Sequence, residues 1–70
     1  MEAIQISDEF IKLGQALKLA NLVSSGVEAK IVVQNGEVKV NGEVVTRRGR
    51  KLYPQDVFEY DGKQVTVIGE

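Results

Sequence analysis

The stretch Gly36-Glu37-Val38-Lys39-Val40-Asn41-Gly42 decides the fold. Within it the apolar period changes from helical to alternating. Val38 and Val40 alternate with Glu37 and Lys39, which gives a strand one apolar and one polar face. Asn41-Gly42 then supplies the strongest short hairpin signal, because a type I′ turn needs positive φ at both central residues. A two-residue turn pairs Val40 with Glu43 and Val38 with Val45.

Upstream of this stretch the spacing is helical. Ser25-Gly26-Val27-Glu28 fits a capping box, in which the Ser hydroxyl takes the third amide and the Glu reaches back. Val27, Ile31 and Gln34 follow at helical spacing, with Ala29 and Val33 beside them, and Asn35-Gly36 ends the run with a left-handed residue. The expected helix therefore covers Ser25 to Asn35. An earlier helix is expected from the stripe Phe10, Leu13, Leu17 and Ala20, with Ser7 or Asp8 as its cap. Gly14 lies inside that helix at a cost of about 1 kcal/mol relative to Ala, which a close contact with another element would explain. Glu2 to Ile6 alternates loosely as a short strand. The expected shared core is Leu13, Leu17, Ile31, Val38 and Val40.

Downstream, Asp61-Gly62 is a second hairpin signal. It sets Tyr60 opposite Lys63 and Phe58 opposite Val65, and puts Phe58, Tyr60, Val65 and Val67 on one face. The element order is strand, helix, helix, hairpin, loop, hairpin, an α+β arrangement.

The chain has 70 residues, enough for a single domain with one small core. Its 43% hydrophobic and 27% charged residues are an ordinary globular mix. It contains no Cys and no His, which removes disulfides, thiolate metal sites and the usual general base. No catalytic residue, metal or cofactor is expected, and the expectation is a non-enzyme. Asp56, Glu59 and Asp61 cluster late in the chain, but Asp61 is already explained by its turn. No apolar run approaches the ~20 residues needed to span a bilayer, and Met1 to Ser7 lacks the regions of a secretory signal. The expectation is a monomeric cytoplasmic protein without membrane contact.

Nine basic and ten acidic residues give a net charge of −1, so any polyanion site must rest on local charge. The densest local charge is Arg47-Arg48-Gly49-Arg50-Lys51, which follows the first hairpin and holds four of the nine basic residues. Arg suits phosphate because its planar fork donates two parallel hydrogen bonds. Lys12, Lys30 and Lys39 are candidates to extend the patch from the helices and the first strand. Tyr53, beside the basic run and Pro54, is the candidate to stack on a base. Tyr60 is read as half-core.

Ser25-x-x-x-Ala29-Lys30, Gly36-x-Val38-x-Val40-Asn41-Gly42 and Pro54-x-Asp56 together resemble the S4 RNA-binding domain. The resemblance covers about Phe10 to Phe58, within a single domain over residues 1–70. The short length and the Arg run look most like the stand-alone bacterial members, YbcJ-like or YaaA-like. The resemblance implies two helices packed on a small, mostly antiparallel sheet with β-hairpins, the αL motif. It also implies structured RNA, ribosomal or transfer, as the partner, with Lys12, Ser25 and Lys30 at the basic and Ser positions of the two helices. Gly26 stands where many members have Arg, Gly14 where Asp is common, and Gln55 replaces the Gly of a Pro-Gly-Asp turn. The expected RNA-contacting set is Lys12, Ser25, Lys30, Lys39, Arg47, Arg48, Arg50, Lys51 and Tyr53. The competing expectation is a protein-interaction module that keeps the fold with little RNA affinity.

Overall fold

The computed structural model describes residues 2–70. Strand β1 (Glu2–Ile6) is followed by the short β2 (Ile11–Lys12), helices α1 (Leu13–Leu19) and α2 (Gly26–Gln34), the hairpin β3 (Val38–Val40) and β4 (Glu43–Val44), the short β5 (Lys51–Leu52), and the hairpin β6 (Val57–Tyr60) and β7 (Lys63–Gly69). The main sheet runs β1-β7-β6-β3-β4, and β2 pairs with β5 as a separate ribbon. The β1–β7 pair is parallel and the other pairs are antiparallel. The fold is therefore two helices and a mostly antiparallel sheet, as the αL reading implies.

Both turns form as local chemistry requires. Asn41 and Gly42 have φ of 51° and 86°, and Asp61 and Gly62 have 54° and 77°. Val40 faces Glu43, Tyr60 faces Lys63 and Phe58 faces Val65. The amide of Val45 donates to the Val38 carbonyl at 3.0 Å, extending the first hairpin.

Asp56 and Asn41 close the turn before β6 and fasten it to the first hairpin. The Asp56 carboxylate accepts from the Asn41 side-chain amide (3.1 Å) and from the Tyr53 backbone N–H (2.8 Å). The Asn41 side-chain oxygen accepts from the Val57 N–H at 3.0 Å. Gln55, between Pro54 and Asp56, has φ of 80°, the conformation that a glycine adopts without strain.

The core lies between the helix pair and one face of the sheet. Leu13, Leu17, Val33, Val38, Leu52, Phe58 and Val65 are fully inaccessible, and no polar residue is buried among the described residues.

Three expectations are corrected. The first helix does not start at Phe10 under a Ser7 or Asp8 cap. Ile11 and Lys12 pair with Leu52 and Lys51 instead, and Lys12 is the cap residue, without a side-chain cap bond. Paired backbone replaces the missing cap: Leu13 N–H donates to the Arg50 carbonyl (2.8 Å) and Gly14 N–H to the Arg48 carbonyl (2.9 Å). Accordingly, the segment between the hairpins, expected as a loop, contributes β5. The third correction concerns α2, which buries Ala29, Val32 and Val33, whereas Ile31 is 52% exposed and lies outside the core. The small residues Gly14 and Ala29 meet where the helices cross, since a Cβ on Gly14 would lie 4.0 Å from that of Ala29. That close approach turns the Ala29–Val33 side of α2 inward.

Candidate nucleic-acid interface

The basic run folds into a turn closed by Arg50 N–H donating to the Arg47 carbonyl at 3.2 Å. The turn is pinned to the first turn of α1 by the two backbone bonds from Leu13 and Gly14. A Cβ on Gly14 would also lie 3.5 Å from the Arg48 Cβ and 3.6 Å from its carbonyl oxygen, which leaves room for a methyl group and little more. The small residue expected to need a close neighbour has one, and that neighbour is the Arg turn.

Arg47, Arg48, Arg50 and Lys51 are all exposed. Among the described residues, no side-chain hydrogen bond or ion pair engages the three guanidinium groups. Their donors are therefore available to an anion. Lys12, Lys18 and Arg48 rim a shallow groove over Gly14, Gly26 and Ala29, where the helices cross. Arg47 and Arg50 line an adjoining concavity with Gln34, at the end of α2. Lys30 precedes Gln34 by one helical turn and so stands on the same side of α2.

The structure brings together most of the expected residues but not all. Lys39 is exposed on the sheet face opposite Val38 and Val40, beside Val44 and Glu59. The sheet separates it from the groove. Ser25 is engaged as the α2 cap, its hydroxyl accepting from the Glu28 N–H at 3.1 Å. The Glu28 carboxylate closes the box one residue earlier than expected, accepting from the Ser24 N–H (2.6 Å) and hydroxyl (3.2 Å). Tyr53 is 43% exposed, with its ring 6.1 Å from that of Phe10. Lys18 and Phe10 were outside the expected set. Lys18 lies off the apolar stripe of the first helix, and Phe10 was assigned to that stripe.

Acidic groups gather elsewhere. Partial burial, with Glu37, Asp61 and Glu28 nearby, holds the Tyr60 phenol above its ordinary value of 10.0. No helix among the described residues is long and apolar enough to cross a membrane.

Comparison with known proteins places this geometry. The family model of the S4 domain matches residues 4–68. The chain is 52% identical over 59 residues to the probable ribosome maturation protein RlbA of Bacillus subtilis (strain 168), covering 84% of this chain and 83% of that protein. It is 36% identical over 58 residues to the putative RNA-binding protein YbcJ of Escherichia coli (strain K12), covering 83% of each. The solution structure of E. coli YbcJ, described as having an αL motif involved in RNA binding, superimposes with a TM-score of 0.75 and 32% identity over 97% of this chain and 87% of that one. The family model spans most of the chain and the relatives are matched over more than four fifths of their length, so the chain belongs to the S4 domain family.

Proposed function

We propose that this chain is a non-enzymatic RNA-binding module for structured RNA, ribosomal RNA in the first instance. Its working unit is one S4-like domain over residues 1–70, with the motif core at about 10–58, acting as a monomer in the cytoplasm. The observation that carries this reading is the Arg turn locked by its backbone to α1, with Arg48 joining Lys12 and Lys18 around the groove at the helix crossing. A fixed turn loses little entropy when its side chains meet phosphates, and exposed guanidinium groups give up little existing bonding. The ribosome maturation relative and the RNA-binding description of YbcJ support the same partner class.

Net charge does not oppose the reading, because affinity for a polyanion follows the number of phosphates contacted. The test is a salt titration of binding to bulk ribosomal RNA. The wild type should weaken with a log–log slope of about −0.7 to −0.9 per phosphate contact. Replacing Arg48 and Arg50 by Ala should shrink that slope by roughly one to two units. The melting temperature should barely move, since exposed charges contribute little to stability. Superimposable curves would remove the Arg turn from the interface. Absence of binding at low salt would reject the RNA reading in favour of a protein-interaction module.

A further inference from the structure

The β2–β5 ribbon presents an arrangement that phosphate contacts alone do not use. Lys12 and Lys51 are directly opposed across it. Ile11 and Leu52, the next pair, turn the other way, with Leu52 fully buried and Ile11 packed against the core. One residue further along the same register stand Phe10 and Tyr53, on the same outward face as the two lysines. Their ring centroids are 6.1 Å apart at 52°. The Lys51 ammonium lies 4.8 Å from the centre of the Phe10 ring. The outward face of the ribbon is therefore two opposed cations followed by two opposed aromatic rings.

Two features of this face point to a ligand. Like charges directly opposite each other on paired strands destabilise the pair, and an anion seated between them reverses the sign of that term. Leaning over the Phe10 ring is the compensation Lys51 finds within the chain. The second feature is Tyr53, a large aromatic side chain 43% exposed on a ribbon whose other face is sealed. Same-face residues on one strand are roughly 6.6–6.8 Å apart, about the reach from a nucleotide's phosphate to its own base. A phosphate between Lys12 and Lys51 would thus bring its base over Tyr53. Only a base without stacked neighbours can present a free face to a ring.

We infer that the ribbon is a single-nucleotide clamp, with Lys12 and Lys51 on the phosphate and Tyr53, backed by Phe10, on the face of an unpaired base. This rests on the RNA reading above and deepens it. The preferred RNA is a stem interrupted by an unpaired nucleotide, rather than a continuous duplex. In this division of labour the Arg turn grips the stem without regard to sequence, and the ribbon selects for the interruption.

The test uses the full chain and two hairpin RNAs with the same stem. One is fully paired and the other carries a single bulged 2-aminopurine. Wild type should bind the bulged hairpin about tenfold more tightly, in keeping with one base stacked on an aromatic side chain. Emission from the 2-aminopurine should fall as the complex forms. Tyr53→Leu should lose both the preference and the emission change while binding the paired hairpin as wild type does. Tyr53→Phe, which keeps the ring, should retain both. The R48A/R50A variant should weaken binding to both hairpins by the same factor. Equal binding of the two hairpins by wild type would overturn the clamp and leave the RNA reading standing, as would a Tyr53→Leu chain that keeps the preference. Failure of wild type to bind either hairpin at low salt would overturn both.

Discussion

Removing the Asp56 carboxylate should loosen the domain without removing any apolar side chain from its core. Asp56 accepts two hydrogen bonds, one from the Tyr53 N–H and one from the Asn41 amide. Asn41 in turn accepts one from the Val57 N–H. Two of these bonds join Asn41 of the first hairpin to Asp56 and Val57, and the third closes the turn before β6 on itself. At about 1 kcal/mol net for each bond, Asp56→Ala should cost about 2 kcal/mol. In a domain of this size each kcal/mol moves the melting temperature by roughly 4–8 °C, so the expected fall is roughly 8–16 °C. Asn41→Gly keeps the positive φ of 51° without strain and also loses two bonds, for a similar cost. One bond is common to the two residues. The double variant should then lose about 3 kcal/mol rather than 4, a coupling of about 1 kcal/mol. That loss approaches the ~3–5 kcal/mol that a single small core supplies. Thermal and urea unfolding followed by far-ultraviolet circular dichroism measure the melting temperatures and the free energies of all four chains. An Asp56→Ala chain melting within two degrees of wild type would refute the argument, as would strict additivity in the double variant.

Other expectations concern the core, a strained turn and the alkaline limit. Leu17, fully inaccessible between helix and sheet, should cost ~2–5 kcal/mol when cut to Ala, whereas Ile31→Ala, at a 52% exposed position, should melt within two or three degrees of wild type. A reversal of that order in thermal melts would show that α2 presents its other face. Gln55→Gly should raise the melting temperature by roughly 2–6 °C, because relief of a left-handed non-glycine residue exceeds the added chain entropy; a lower melting temperature would count against strain there. The raised Tyr60 pKa means that the folded chain holds its phenolic proton more tightly than the unfolded chain does. Stability from this source is complete below the ordinary value of 10.0 and is lost as pH rises from there through the folded value. Tyr60→Phe should therefore flatten the fall in melting temperature as pH rises above about 10, and parallel curves for the two chains would contradict the assignment.

What could be read from the sequence was whatever a few neighbouring residues decide among themselves. Asn41-Gly42 and Asp61-Gly62 were legible because the backbone of a two-residue turn restricts which residues fit it. The Ser25–Glu28 cap was legible for the same reason, down to a shift of one residue in where the Glu side chain returns. Elements made by distant partners were not legible. Ile11–Lys12 and Lys51–Leu52 are each two residues long, too short for a period to show, and either is a strand only because the other is beside it. Phe10 and Leu13 fall at helical spacing by coincidence, one beside the ribbon and one opening the helix. On α2, Ala29–Val33 and Val27–Ile31 are both apolar pairs at i, i+4. Counting apolar bulk favours the second pair. The crossing at Gly14 favours the first, because a small side chain allows the closer approach.

The candidate interface divides along the same line. Its charges were visible as a run, since Arg47-Arg48-Gly49-Arg50-Lys51 stands out in a chain of net charge −1. Its shape was not, because shape depends on which backbone groups hold that run. The carbonyls of Arg48 and Arg50 take the first amides of α1, so the residues that supply the cations also complete the helix. Side chain and backbone of the same residues thus serve different ends, and a substitution that changes only the side chain separates them. R48A and R50A remove guanidinium groups and leave both carbonyls bonded. Gly14 acts in the opposite sense: a side chain larger than methyl there would press on Arg48 and displace the turn without removing any charge. Loss of RNA affinity in a Gly14→Leu chain that keeps every cation would show that the placement of the Arg turn, and not its charge alone, makes the site.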